Sequence, residues 1–213
     1  MLASIKRLRI ELVIGAVAAA LSVACGGSSS TAPSTKPVTL HGEVSDLIGD
    51  AVPVAGVSNP PDLVHGTVDI VAGNVAFTVQ LAPATFNRQT TGVLIDLDTD
   101  RNPSTGISGV GGFGIDYVVS LWAPTNQVMI QKALANGACT AAANQCYTTV
   151  GTASLTVTTD GVQATVPLAL LGSTDGRLNF RVFGYYVASI SSGNPAILTD
   201  VMSDATLPPG SVQ

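Results

Sequence analysis

Beyond residue 38, apolar and polar residues alternate with a period of two along most of the chain. Val75, Phe77, Val79 and Leu81 interleave with Asn74, Ala76, Thr78 and Gln80, which sends successive side chains to opposite faces of a half-buried strand. The run 63–71 reaches that segment through Ala72-Gly73-Asn74, a hairpin turn. The same reading predicts strands over 38–44, 91–98, 115–122, 127–135, 147–158, 162–166, 178–190 and 196–202. Turn dipeptides such as Asp160-Gly161 and Asp175-Gly176 separate them at sandwich-like spacing. Pro167 at a first helical position and Gly172 after the last leucine predict one short helical turn between them. Long helices are not expected. The pattern predicts an all-β antiparallel sandwich, one domain over residues 38–213.

The N-terminus reads differently. Lys6, Arg7 and Arg9 precede an apolar, small-residue run over 12–24. At about 1.5 Å per residue that run spans roughly 20 Å against a hydrocarbon core of ~30 Å, so residues 1–24 read as a signal peptide rather than a membrane span. It ends in Leu21-Ser22-Val23-Ala24-Cys25, which resembles the lipobox of bacterial lipoproteins, although Ser22 stands where that motif usually has Leu. The resemblance implies acylation of Cys25, an extracytoplasmic membrane-anchored protein and, with Gly26 after the cysteine, the outer membrane. Ordinary cleavage near Ala24, leaving a free thiol, is the alternative. Residues 25–37 continue as GGSSSTAPSTKP after the cysteine, a Gly/Ser/Thr/Pro tether.

Composition narrows the function classes. Only 11% of the 213 residues are charged and 46% are hydrophobic. Removing residues 1–24 takes away Lys6, Arg7, Arg9 and Glu11, leaving six basic against thirteen acidic residues. No basic face for nucleic acid can be built from these. Of the three cysteines, Cys139 and Cys146 bracket a short loop and in an exported chain are expected to pair, leaving Cys25 for the lipid. His41 and His65 are the only histidines, and neither lies in a zinc or nucleophile motif. Catalysis is therefore not expected, a hydrolase being the weaker alternative.

The sharpest constellation is acidic. LIDLDTDRNPSTG, residues 94–106, places Asp96, Asp98, Asp100 and Asn102 at every second position. With Val93, Ile95 and Leu97 turned to the core, Asp96 and Asp98 share the other face. If 93–98 pairs with the run after Gly114, Ile115, Tyr117, Val119 and Leu121 become core partners and Asp116 joins the two aspartates. Crowded carboxylates repel, and Ca²⁺, which takes six to eight oxygen ligands, is an efficient compensation. A structural Ca²⁺ site is expected at Asp96, Asp98, Asp100, Asn102 and Asp116, of a kind other than an EF-hand, since Arg101 stands where that loop needs glycine. The plain alternative is a solvated turn whose Asp and Asn side chains cap backbone N–H groups.

The Gly109–Gly114 run matches a dinucleotide fingerprint only in letters, because a strand-like segment rather than a helix follows it. Trp122, Tyr147, Tyr185 and Tyr186 are candidate stacking residues for a sugar, against the plainer reading of core or edge packing. LDTDRNPSTG and GIDYVV, with GNVAFTVQLAPATF, VPLALLGSTDGRLNFRVFGYY, Ile48-Gly49-Asp50-Ala51, Pro61-Asp62-Leu63-Val64 and LPPG, resemble exported β-sandwich domains akin to carbohydrate-binding module family 9 and DOMON-like folds. That resemblance implies an immunoglobulin-like sandwich and a glycan or other surface ligand, though the aromatic clamp of carbohydrate modules has no clear counterpart. A second expectation is a structural or protein-interaction domain of the envelope with no small-molecule ligand.

Overall fold

The computed structural model describes residues 39–109, 112–134, 146–172, 174–188, 196–202 and 209–213. The expected signal peptide, Cys25, the tether and Cys139 lie outside them. Thirteen strands and one 3₁₀ turn make up the described chain: β1 Leu40–Ser45, β2 Leu63–Val71, β3 Asn74–Leu81, β4 Thr91–Asp98, β5 Ile107–Ser108, β6 Gly114–Ile115 and β7 Tyr117–Trp122, then β8 Gln127–Ala133, β9 Tyr147–Val157, β10 Gly161–Pro167, β11 Asn179–Tyr186, β12 Ile197–Met202 and β13 Gly210–Ser211. The 3₁₀ turn, Leu168–Leu171, follows β10. Every pairing is antiparallel.

One layer runs β1-β2-β3-β10 and the other β8-β7-β4-β11-β12, and β9 belongs to both. Its first part, up to Ser154, pairs with β8, while Leu155, Thr156 and Val157 pair with β10. A single strand that changes layers joins the two sheets at one side. At the other side, β13 pairs with Asn179 and Phe180 of β11, and Gln213 exchanges backbone hydrogen bonds of 3.2 Å with His41 of β1. Gly42 permits this closure, since a Cβ there would lie 2.6 Å from the Ser211 carbonyl. The architecture is an all-β antiparallel sandwich, as the alternation predicts.

The core between the layers is built from the inward positions of both sheets, with Phe77, Ile95, Leu97, Val119, Ile130 and Phe180 all at or below 1% exposure. Burying a side chain of this size contributes roughly 1.5–3 kcal/mol. The β2–β3 turn is Ala72-Gly73, with Val71 opposite Asn74 and φ of 49° and 78° at the two turn residues. That is the left-handed pair a two-residue hairpin prefers.

Two expectations require correction. The run 115–122 is not one strand: it breaks at Asp116, whose N–H donates to the Leu97 carbonyl at 2.9 Å. Tyr117, Val119 and Leu121 do reach the core, but Ile115 falls on the outer side and forms a second apolar cluster with Phe113 and Val118, packed against Leu94, Ile107 and Tyr147. The short β5–β6 ribbon therefore lies over the outer face of the second layer, which explains why β4 is buried on both faces along most of its length. The second correction is at Pro167. It ends β10 as the N-cap of the 3₁₀ turn, with extended φ of −60° and ψ of 130°, one position earlier than expected. Gly172 closes that turn at φ 79°.

Candidate functional site

The acidic hairpin forms where β4 ends. Asp98, Asp100 and Asp116 each offer a carboxylate oxygen, and these lie within 4.8 Å of one another. Asp98 is 2% exposed, whereas Asp100 stands in the exposed turn. The turn itself supplies donors. The Asn102 N–H donates to Asp98 at 3.0 Å and to Asp100 at 2.9 Å, and the Thr105 hydroxyl lies 3.0 Å from both Asp100 oxygens. Thr99 donates its N–H and its hydroxyl to the same Asp116 oxygen at 2.9 and 3.0 Å. The Asn102 side chain caps the Ser104 N–H at 3.1 Å, so it serves the turn rather than the carboxylate group. Arg101 and Gly106 hold left-handed φ of 56° and 65°, and a Cβ at Gly106 would collide with the Ile115 carbonyl and approach Asp116 Oδ1 to 2.9 Å. Burial pushes the Asp98 carboxyl above its ordinary range, reinforced by Asp100 and Asp116 and opposed by the Asn102 N–H and the Asn179 amide. Carboxylate oxygens keep further lone pairs, so the cluster combines self-capping with room for a cation. It opens onto a cleft of about 680 Å³ lined also by Tyr117, Lys132, Thr148 and Leu171.

Asp96 is separated from that group. It faces a second pocket of about 370 Å³ on the outer side of the second layer. Its floor is Leu94 and Asp96 of β4 with Phe183 and Tyr185 of β11, flanked by Val118, Gln131 and Tyr147; Ser108, Gly109 and Ile115 of the ribbon complete the wall. Arg181 sits opposite Asp96 in the β4–β11 ladder, buried, with its guanidinium 5.4 Å from the Phe113 ring centroid. Burial pushes the Asp96 carboxyl up to about 7, against the opposing pull of Arg181. The same burial, with Asp96 nearby, raises the Tyr147 and Tyr185 hydroxyls above their ordinary value. Near neutrality the Asp96 carboxyl can thus either donate or accept a hydrogen bond. Aromatic faces beside convergent polar groups suit a polyhydroxylated ligand.

The four stacking candidates divide. Tyr147 and Tyr185 share the Asp96 pocket, and the regular β11 sends Tyr186 elsewhere, to a depression of about 330 Å³ beside Phe86 and Asn87. Trp122 lies against Gly92, its opposite number on β4. His41 pairs with Asp69 at 2.6 Å and His65 with the Ser45 hydroxyl at 3.2 Å, both exposed. Of the expected disulfide, Cys146 precedes β9, and Cys139 lies outside the described residues.

Sequence reasoning missed Gln131 and Phe183 at the pocket, and Arg181 opposite Asp96. It also missed a second acidic group, Asp50, Asp62 and Asp200, which only the tertiary fold assembles. Burial, together with the negative charges of Asp46 and Asp50, pushes the Asp200 carboxyl up to about 7, while two backbone N–H groups oppose the shift.

No protein-family model matches the chain, and a comparison with curated proteins finds no match. The fold and these sites define a single-domain antiparallel sandwich carrying an aromatic, acid-bearing pocket on one outer face.

Proposed function

We propose that this chain is a non-catalytic binding module, anchored by a lipid on Cys25 outside the cytoplasm at the outer membrane, that holds a glycan or another polar surface ligand against the outer face of its second layer. The observation that carries the reading is the convergence of Tyr147 and Tyr185 with Asp96 and Gln131 around one pocket. A sugar ring stacks on a tyrosine face while its hydroxyls bond to the carboxyl and the amide. Glycoside hydrolysis works through a pair of carboxyl groups flanking the bond, and among the described residues this pocket is lined by one, Asp96. In the same reading Ca²⁺ at Asp98, Asp100 and Asp116 stiffens the hairpin that leads into the β5–β6 ribbon, and hence one wall of the pocket. A Cys139–Cys146 disulfide ties the β8–β9 connection.

A second reading has its own support. Leu47, Ile48 and Val52 are 73%, 71% and 58% exposed on the segment between β1 and β2, a surface suited to another envelope protein. Two experiments separate the readings. A glycan array probed with the chain should retain a chemically related set of glycans. Recovery of a stoichiometric envelope protein, with the array flat, would instead favour the protein-interaction domain.

A further inference from the structure

The 46–62 segment between β1 and β2 contains no strand, and the Val52 N–H ties it to β12 by donating to the Thr199 carbonyl at 2.6 Å. Asp62, just before β2, is 4% exposed; its Oδ2 accepts the Gly49 N–H at 2.7 Å, and its Oδ1 is buried with no hydrogen-bond partner among the described residues. Asp200 of β12 is 8% exposed and accepts the Leu63 N–H at 2.6 Å and the Val201 N–H at 2.8 Å. Asp50 completes the group, with one carboxylate oxygen from each residue inside a 4.8 Å span. The charged groups acting on Asp200 are Asp46 and Asp50, both negative. The hairpin carboxylates are answered by hydroxyl, amide and backbone donors of their own turn. At Asp62 one buried oxygen has no such answer among the described residues, and a buried carboxylate oxygen left unpaired is destabilising.

We propose that Asp50, Asp62 and Asp200 form a cation site for a hard divalent ion of the Ca²⁺ class, separate from the hairpin, that clamps the 46–62 segment onto β12. The ion meets the Asp62 Oδ1, which no donor among the described residues reaches, and relieves the repulsion among the three carboxylates. Exposed Asp50 leaves a side open for water ligands, and the clamp fixes the apolar surface of Leu47 and Ile48 in place. The site stands independently of the Asp96 pocket and of any ion at the hairpin.

The test is calorimetric titration with Ca²⁺ alone on the full chain after chelator treatment, in an Asp98→Asn/Asp100→Asn/Asp116→Asn background that removes the three hairpin carboxylates. One Ca²⁺ per chain should still bind, and adding Asp62→Asn should weaken it by about tenfold or more. Hydrogen exchange on the unsubstituted chain is the second measurement: the Gly49, Leu63 and Val201 amides should exchange more slowly with Ca²⁺ than with chelator. Absence of binding in the hairpin-substituted background, or an affinity unchanged by Asp62→Asn, overturns the proposal. If a variant fails to fold, the exchange comparison decides, and equal rates with and without Ca²⁺ overturn it.

Discussion

Trp122 packs its ring directly over Gly92, its cross-strand neighbour, so closely that a Cβ at position 92 would lie 2.5 Å from Trp122 Cε3. Gly92 thus seats the only tryptophan of the chain on the outer face of the second layer, with Tyr185 opposite Gly92 on its other flank. Gly92→Ala should displace the indole and destabilise the domain by about 1–3 kcal/mol. Because Trp122 is the sole tryptophan, its fluorescence maximum and the urea midpoint read the two effects separately. An unchanged spectrum with an unchanged midpoint would show that the contact is not a constraint.

The β2–β3 turn offers a gain instead. Ala72 holds φ of 49°, a left-handed conformation that costs a residue with a Cβ roughly 1–2 kcal/mol, whereas asparagine tolerates it. Ala72→Asn creates an Asn-Gly turn and is expected to raise stability by up to about 1 kcal/mol. Thermal melting of the two proteins side by side checks the sign.

His41 supplies the pH dependence. Its hydrogen bond with Asp69 raises the imidazole above its ordinary 6.5, opposed by desolvation and aided by the charges of Asp69 and Glu43. A raised histidine stabilises the fold fully below its unfolded pKa and loses that contribution as pH climbs through the folded value. The penalty of Asp69→Asn should therefore be present at pH 5 and gone by about pH 9, and it should be small because the pair is exposed. An NMR titration should find the His41 pKa lower in the variant; an identical value would exclude the pairing.

Much of the fold was legible because local alternation encodes it. Residues 63–71 and 91–98 match β2 and β4 end to end, since a single-residue slip would turn Val68 or Ile95 to solvent. The break at Asp116 was not legible. Ile115 and Tyr117 keep the alternation in letters, but the backbone bond from Asp116 to Leu97 divides the run and gives Ile115 to the outer cluster. Spacing likewise placed Asp96 beside Asp98, while the ribbon that folds over β4 encloses Asp96 with the tyrosines. The second acidic group was hidden for a simpler reason: 137 positions separate Leu63 from the Asp200 carboxylate that accepts its N–H.

In the proposed function the ligand sits in the Asp96 pocket and not in the depression beside Tyr186. The affinity for array-retained glycans is to be compared for the chain, for Tyr147→Ala/Tyr185→Ala and for Tyr186→Ala, each verified as folded by its melting curve. The double substitution should abolish retention, and Tyr186→Ala should leave it intact. A loss of equal size at Tyr186, or full retention by the double variant, would contradict that placement.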